Sequence, residues 1–115
     1  HPVVHALDDE SSDLRLRYPY FEHVEPLAFD VHGSYADPTA EVEHDKEYGW
    51  SHGLGEIVSA LAEAGLRIEM VREFPWCDSK MIAMLERRDD GRWWLPHSIT
   101  GELPLMFSLR ARKQA

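Results

Sequence analysis

A chain of 115 residues, 43% hydrophobic and 29% charged, has room for one domain or part of one, and folding at this size covers about 65% of the unfolded surface. A net charge of -9 repels phosphate backbones and excludes nucleic acid as an expected partner; no apolar run approaches the ~20 residues of a membrane span. One cysteine, Cys77, excludes an internal disulfide and a cysteine-ligated zinc site, and fits a reducing cytoplasm.

The chain starts with His1 rather than methionine and has no basic, apolar leader, so no signal peptide is expected and the chain is expected to be processed or excerpted. Residues 1–13 carry Asp8, Asp9, Glu10 and Asp13 and read as a loop. In "LRLRYPYF", residues 14–21, Leu14, Leu16, Tyr18 and Tyr20 alternate with Arg15 and Arg17, which predicts a strand with one wet face. Pro19 removes a donor, so the strand is an edge or stops there. Residues 26–36, "PLAFDVHGSYA", read as a second, irregular strand punctuated by Gly33-Ser34. Residues 37–52 are acidic and then aromatic, without an apolar stripe, and read as a loop.

A helix follows over 53–65. Leu54, Ile57, Val58 and Leu61 stand on one face and are expected to be buried. Ser51 is the expected N-cap. Gly65 sits where a left-handed residue closes a helix. "LRIEMVREF", 66–74, then extends as a strand that Pro75 stops. In "MLERRDDGRWWL", 84–95, Asp90-Gly91 lies between two half-apolar arms, a hairpin signal. Strand 103–112 closes the chain, with Leu103, Leu105, Phe107, Leu109 and Ala111 inward.

A helix running straight into a strand is half of a parallel crossover. Its feeding strand is missing, because 14–21 and 26–33 look like one-face-wet antiparallel material. The run from Tyr20 to Trp76, the turn "DDGRWWLP" and the ending "LPLMFSLRARK" together resemble the C-terminal part of class I S-adenosylmethionine-dependent methyltransferases, in a bacterial branch acting on small molecules. The resemblance implies an α/β fold: the end of a Rossmann-like, seven-stranded sheet that on its own looks α+β, with one main helix and mostly antiparallel strands. It makes 53–65 the last helix, 66–74 strand six and 103–112 strand seven, and 1–52 an insertion on the substrate side. It also implies a single cytoplasmic methyltransferase portion, 1–115, with S-adenosylmethionine as cofactor of the whole family. The departure is large. That family binds its cofactor through a glycine-rich loop after strand one and an acidic residue ending strand two. This chain has neither, and Gly49, Gly53 and Gly55 have no strand feeding them. No cofactor-binding residue is therefore expected here, and the chain alone is expected to be inactive. The alternative is a non-catalytic binding or dimerisation module derived from that fold, self-associating through an open sheet edge.

Several groups carry chemistry. Methyl transfer needs a dry, shaped pocket and sometimes a base. Tyr20, Phe21, Tyr35, Tyr48 and Trp50 are the candidate substrate walls, with Tyr18 near them, and His52 is the candidate base. The plainer reading makes the aromatics packing residues and His52 an exposed helix-start residue. His44, Asp45, His52 and Glu56, with His23 and His32 upstream, lack a tight ligand motif, so no metal is expected. The acidic runs, including Asp8, Asp9, Glu41, Glu43 and Glu47, read as solvated. Cys77 reads as an inert thiol with no base beside it. Met70, Met81, Met84 and Met106 read as core filler, and Trp93 and Trp94 as packing on opposite sides of a strand.

Overall fold

The computed structural model describes residues 1–34 and 36–115. The chain opens with a 3-10 turn at Val4–Ala6, then a two-stranded ladder of β1 (Leu27–Asp30) and β2 (Lys46–Gly49). Helix α1 (Leu54–Glu63) leads into β3 (Leu66–Phe74). Three two-residue strands follow: β4 (Trp76–Cys77), β5 (Glu86–Arg87) and β6 (Trp93–Trp94). β7 (Met106–Lys113) ends the fold. The strands form three separate sheets, β1-β2, β3-β7 and β4-β6-β5, and every pairing among the described residues is antiparallel. The architecture is one helix with antiparallel strands. Among the described residues no helix is long and apolar enough to cross a membrane.

The region from the helix onward follows the sequence pattern. Gly65 has φ +85°, the left-handed backbone that glycine adopts without steric cost, and its N–H donates to Ala62 O at 3.0 Å. β3 then starts at once. It runs antiparallel to β7, with Leu66 opposite Lys113 and Phe74 opposite Met106. The register slips between Ile68 and Met70, so Glu69 is the extra residue of a bulge. Its carboxylate receives Arg110 Nε at 3.1 Å and Arg112 Nε at 3.0 Å. The expected strand 103–112 begins later, at Met106. Pro104 has no N–H to give a ladder, although Leu105 N–H still reaches Phe74 O at 2.7 Å. The Asp90-Gly91 hairpin is present, with Glu86 opposite Trp94 and Arg87 opposite Trp93.

The first half departs from its pattern. Residues 14–21 form no strand; Leu16 makes one isolated bridge to Leu7. Leu16 is 76% exposed, because its alternating face meets no second layer. The strand expected over 26–36 is confined to β1. The loop expected over 37–52 contains β2, which the sequence hides because both strands of this ladder are mostly exposed. With no buried face there is no hydrophobic alternation to read, and backbone pairing alone defines the strand.

The core lies elsewhere than expected. Val4, Leu7, Cys77, Ile82, Met84, Leu85, Leu95 and Leu105 form one buried cluster. Residues 1–13 therefore include core, not only loop: Val4, Ala6 and Leu7 are buried. The helix contributes no fully buried residue. Leu54, Ile57, Val58 and Leu61 are half-buried, because α1 packs on β3 and a two-stranded sheet is too narrow to cover a whole helix face. The helix N-cap is Gly53, without a side-chain cap. Ser51 instead donates its N–H to His23 Nε2 at 3.0 Å.

Candidate functional site

A cavity of about 500 Å³ opens between the N-terminal turn, the β1-β2 ladder and the start of α1. That volume lies within the ~300–1,000 Å³ range of small-molecule sites. Leu27 and Phe29 supply the wall from β1. Trp50, Ser51 and His52 enter from the link between β2 and α1, and Ile57 from the helix. His1, Val4, His5, Leu7 and Asp9 form the N-terminal side, and Met81, Ile82 and Phe107 also line the space. The local sequence explains the placement. The 3-10 turn buries Val4 and Ala6 while keeping its backbone paired, with Leu7 N–H bonded to Val4 O at 3.2 Å. Trp50 is tied to the strap before β1 by its indole N–H, which donates to Val24 O at 3.2 Å.

The polar groups have defined partners. His52 Nδ1 lies 2.8 Å from Glu56 Oε1, one helical turn along. Holding Nδ1 against a carboxylate leaves Nε2 free to accept a proton. Asp9 is fixed through its main chain, where its carbonyl accepts Ala83 N–H at 2.8 Å. Its carboxylate receives the Tyr18 hydroxyl at 3.4 Å and lies 4.0 Å from Arg17. Burial, and then the Asp9 charge, hold the Tyr18 phenol above its ordinary value, so at neutral pH it is a donor. Tyr18 stands edge-on to Phe29, with ring centres 5.7 Å apart. His5 is held below its ordinary value, chiefly by desolvation, which keeps the imidazole neutral near pH 7.

Of the candidates named from sequence, Trp50 and His52 line this cavity, and so does Tyr18, named beside them. Tyr20, Phe21 and Tyr48 are not on its wall. Tyr20 packs its ring on Gly53, where an added Cβ would come within 2.8 Å of it, and its hydroxyl accepts Leu54 N–H at 3.0 Å. It thereby serves as the missing helix cap. Phe21 stands edge-on to Tyr20 and is 77% exposed; Tyr48, on β2, is 57% exposed. Tyr35 lies outside the described residues. Sequence reasoning missed His5, Asp9 and Phe29. Asp9 sits within an acidic run that reads as solvated, and no local signal marks it; the two turns that fold it back on Tyr18 are tertiary.

Among the described residues no three His, Cys, Asp or Glu side chains converge on a point that could hold a metal ion. Cys77 is 2% exposed, its thiol directed at Leu105 O, 3.2 Å away, and burial pushes it up from its ordinary value. The spaced glycines before and at the start of α1 form no cradle for S-adenosylmethionine. Gly49 and Gly55 border open space, so neither is a cradle that a side chain would fill, and the approach to Gly53 is already taken by Tyr20. No protein-family model matches the chain, and no curated protein or solved structure matches it.

Proposed function

We propose that this chain is the C-terminal, substrate-side portion of a class I S-adenosylmethionine-dependent methyltransferase acting on a small molecule in the cytoplasm. The observation that carries the reading is the passage from α1 through Gly65 into β3, with β7 antiparallel beside it. That is the order and sense in which the last helix and final two strands of the family's Rossmann-like sheet run. The cavity supports the same reading by supplying a walled site for an acceptor. Trp50 and Phe29 offer it apolar ring surface, and His52, steadied by Glu56, takes the proton that the acceptor's nucleophile sheds. On this reading the donor is held by residues outside this portion.

The test is transfer of a labelled methyl group by the polypeptide that the gene encodes, over a panel of small-molecule acceptors. Transfer that falls with His52→Asn while the fold is unchanged is the expected result. No transfer to any acceptor, together with no S-adenosylhomocysteine binding by that polypeptide, would sink the reading. The 115-residue chain by itself is expected to give no heat on titration with S-adenosylhomocysteine at micromolar concentration.

A second reading, a dimerisation module derived from the same fold, is favoured by the exposed area. The chain exposes 8638 Å², whereas a monomer of its mass exposes about 6,450 Å². The excess belongs to one chain; doubled for two copies it still falls in the range that obligate partners cover, roughly 2,000–5,000 Å² over both sides. The ladder β3-β7 offers an open edge for a second copy.

A further inference from the structure

We infer that the cavity takes a neutral or cationic aromatic molecule and rejects organic carboxylates and phosphates. The inference deepens the reading of this cavity as an acceptor site and rests on it. Three observations carry it. The walls are apolar and aromatic at several points around the space, with Phe29, Trp50 and Phe107 among them. Planar rings buried there gain area and edge-to-face contacts. None of the described lining residues is lysine or arginine, and the lining carboxylate is Asp9.

The charges around Asp9 decide its influence. Arg17 approaches both Asp8 at 3.5 Å and Asp9 at 4.0 Å, so one guanidinium is shared between two carboxylates and leaves this corner net negative. Tyr18 donates to Asp9 and brings no charge while protonated. His52 Nδ1 lies 2.8 Å from Glu56 Oε1, so a carboxylate already faces that ring. His1 and His5 are the remaining titratable wall residues. The His1 ring lies 2.7 Å from the Glu73 carboxylate. Its terminal amine donates to Leu105 O at 2.9 Å and is held below its ordinary value by burial. His5 adds no positive charge while neutral. The chain as a whole carries -9, which raises the local concentration of cations and lowers that of anions. An anionic ligand would thus lose its hydration without gaining a lysine or arginine, and the His1 groups on the wall already face Leu105 O and Glu73, which makes its burial costly. An ammonium gains Asp9 and the ring faces of Trp50 and Phe29.

The experiment is equilibrium dialysis of the full chain at neutral pH against three probes of one shape: 1-naphthylmethylamine, 1-naphthylmethanol and 1-naphthoate. The amine and the alcohol are expected to be retained, and naphthoate to bind about tenfold more weakly or less. Trp50→Ala should weaken all three. Asp9→Asn should remove the amine's advantage over the alcohol and leave the alcohol unchanged. Met81→Lys, which places a cation on the wall, should turn the preference toward naphthoate. Because Asp9 is held by its main chain, the folds of the variants are checked by their melting curves, and Met81→Lys supplies an independent gain of binding. Naphthoate binding as tightly as the amine would overturn the inference, as would a preference indifferent to Met81→Lys. Retention of no probe would overturn the cavity as an aromatic site. Methyl transfer plays no part in this assay, so charge discrimination by this chain, with neither transfer nor S-adenosylhomocysteine binding by the polypeptide that the gene encodes, would defeat the methyltransferase reading alone.

Discussion

Single side chains here take on tasks that their neighbours in sequence leave undone. Helix α1 starts at a glycine without a capping side chain, and Tyr20, more than thirty residues upstream, supplies the acceptor. Tyr20→Phe keeps the ring on Gly53 and removes only that acceptor. It is expected to cost about 1 kcal/mol, the usual value of a helix N-cap, read as a shift of the urea midpoint at unchanged slope; no shift would mean that water caps the helix equally well. Cys77 allows a second prediction. Its raised pKa means that the folded chain keeps the thiol proton where the unfolded chain has lost it. The folded state then binds more protons, so the contribution of Cys77 to stability is full below the ordinary value of 9.0 and declines as pH rises above it. A disulfide reagent should therefore react at least ~100-fold more slowly with the native chain than with the chain in guanidinium chloride. Equal rates would show that the thiol is not enclosed.

At the scale of elements, α1 and β7 differ in what their apolar residues achieve. Leu105, just before β7, is 1% exposed and touches the central cluster. Leu61, on α1, is half-buried against β3. Leu105→Ala is expected to cost ~3 kcal/mol or more, as a fully enclosed leucine does. Leu61→Ala should cost about 1–2 kcal/mol, since part of its surface is already wet. Chemical denaturation of the two variants reads the order directly, and the reverse order would place the core under the helix. The tryptophans of the β4-β6-β5 sheet show a different economy of packing. Arg92 lies 3.8 Å from the Trp76 ring centre, Arg88 4.6 Å from Trp94 and Lys80 5.7 Å from Trp93. Two-residue strands cannot shield such large rings, and the cations' aliphatic stems cover what the sheet leaves open.

At the scale of the molecule, the chain is extended for its size. Its radius of gyration is 16.5 Å, against about 13 Å for a compact chain of this length. Three small sheets with free edges and a half-covered helix account for the difference, since exposed ladders offer pairing sites and two-stranded ones are marginal alone. The expected behaviour is association, with a melting midpoint that rises with protein concentration. Sedimentation measurements paired with melts over a range of concentrations test this. A strict monomer with a concentration-independent midpoint above ~70 °C, beyond the usual ~45–65 °C range, would show that the chain needs no second surface.

The residues from 53 onward determined their own local structure. An apolar stripe at helical spacing, a glycine at the left-handed position, an alternating strand and an Asp-Gly turn are all short-range signals, and each element formed close to where its signal lay. The first half could not be read this way. Leu14 and Leu16 alternate without a layer to meet, and β2 pairs through backbone alone, so neither pattern matched its outcome. Which face of α1 is apolar was likewise legible, but how deeply that face is covered depends on the width of the sheet it meets. The cavity was the least legible feature. Trp50 and His52 flank the helix start and attract notice in sequence, whereas Asp9 and Phe29 reach the same space only because the N-terminal turn folds back across the ladder. Local free energies are set by neighbours a few residues apart and appear in the sequence as periodicity. The enclosure of a site is set by long-range packing, which leaves no periodic trace in any one segment, so only the tertiary structure decided it.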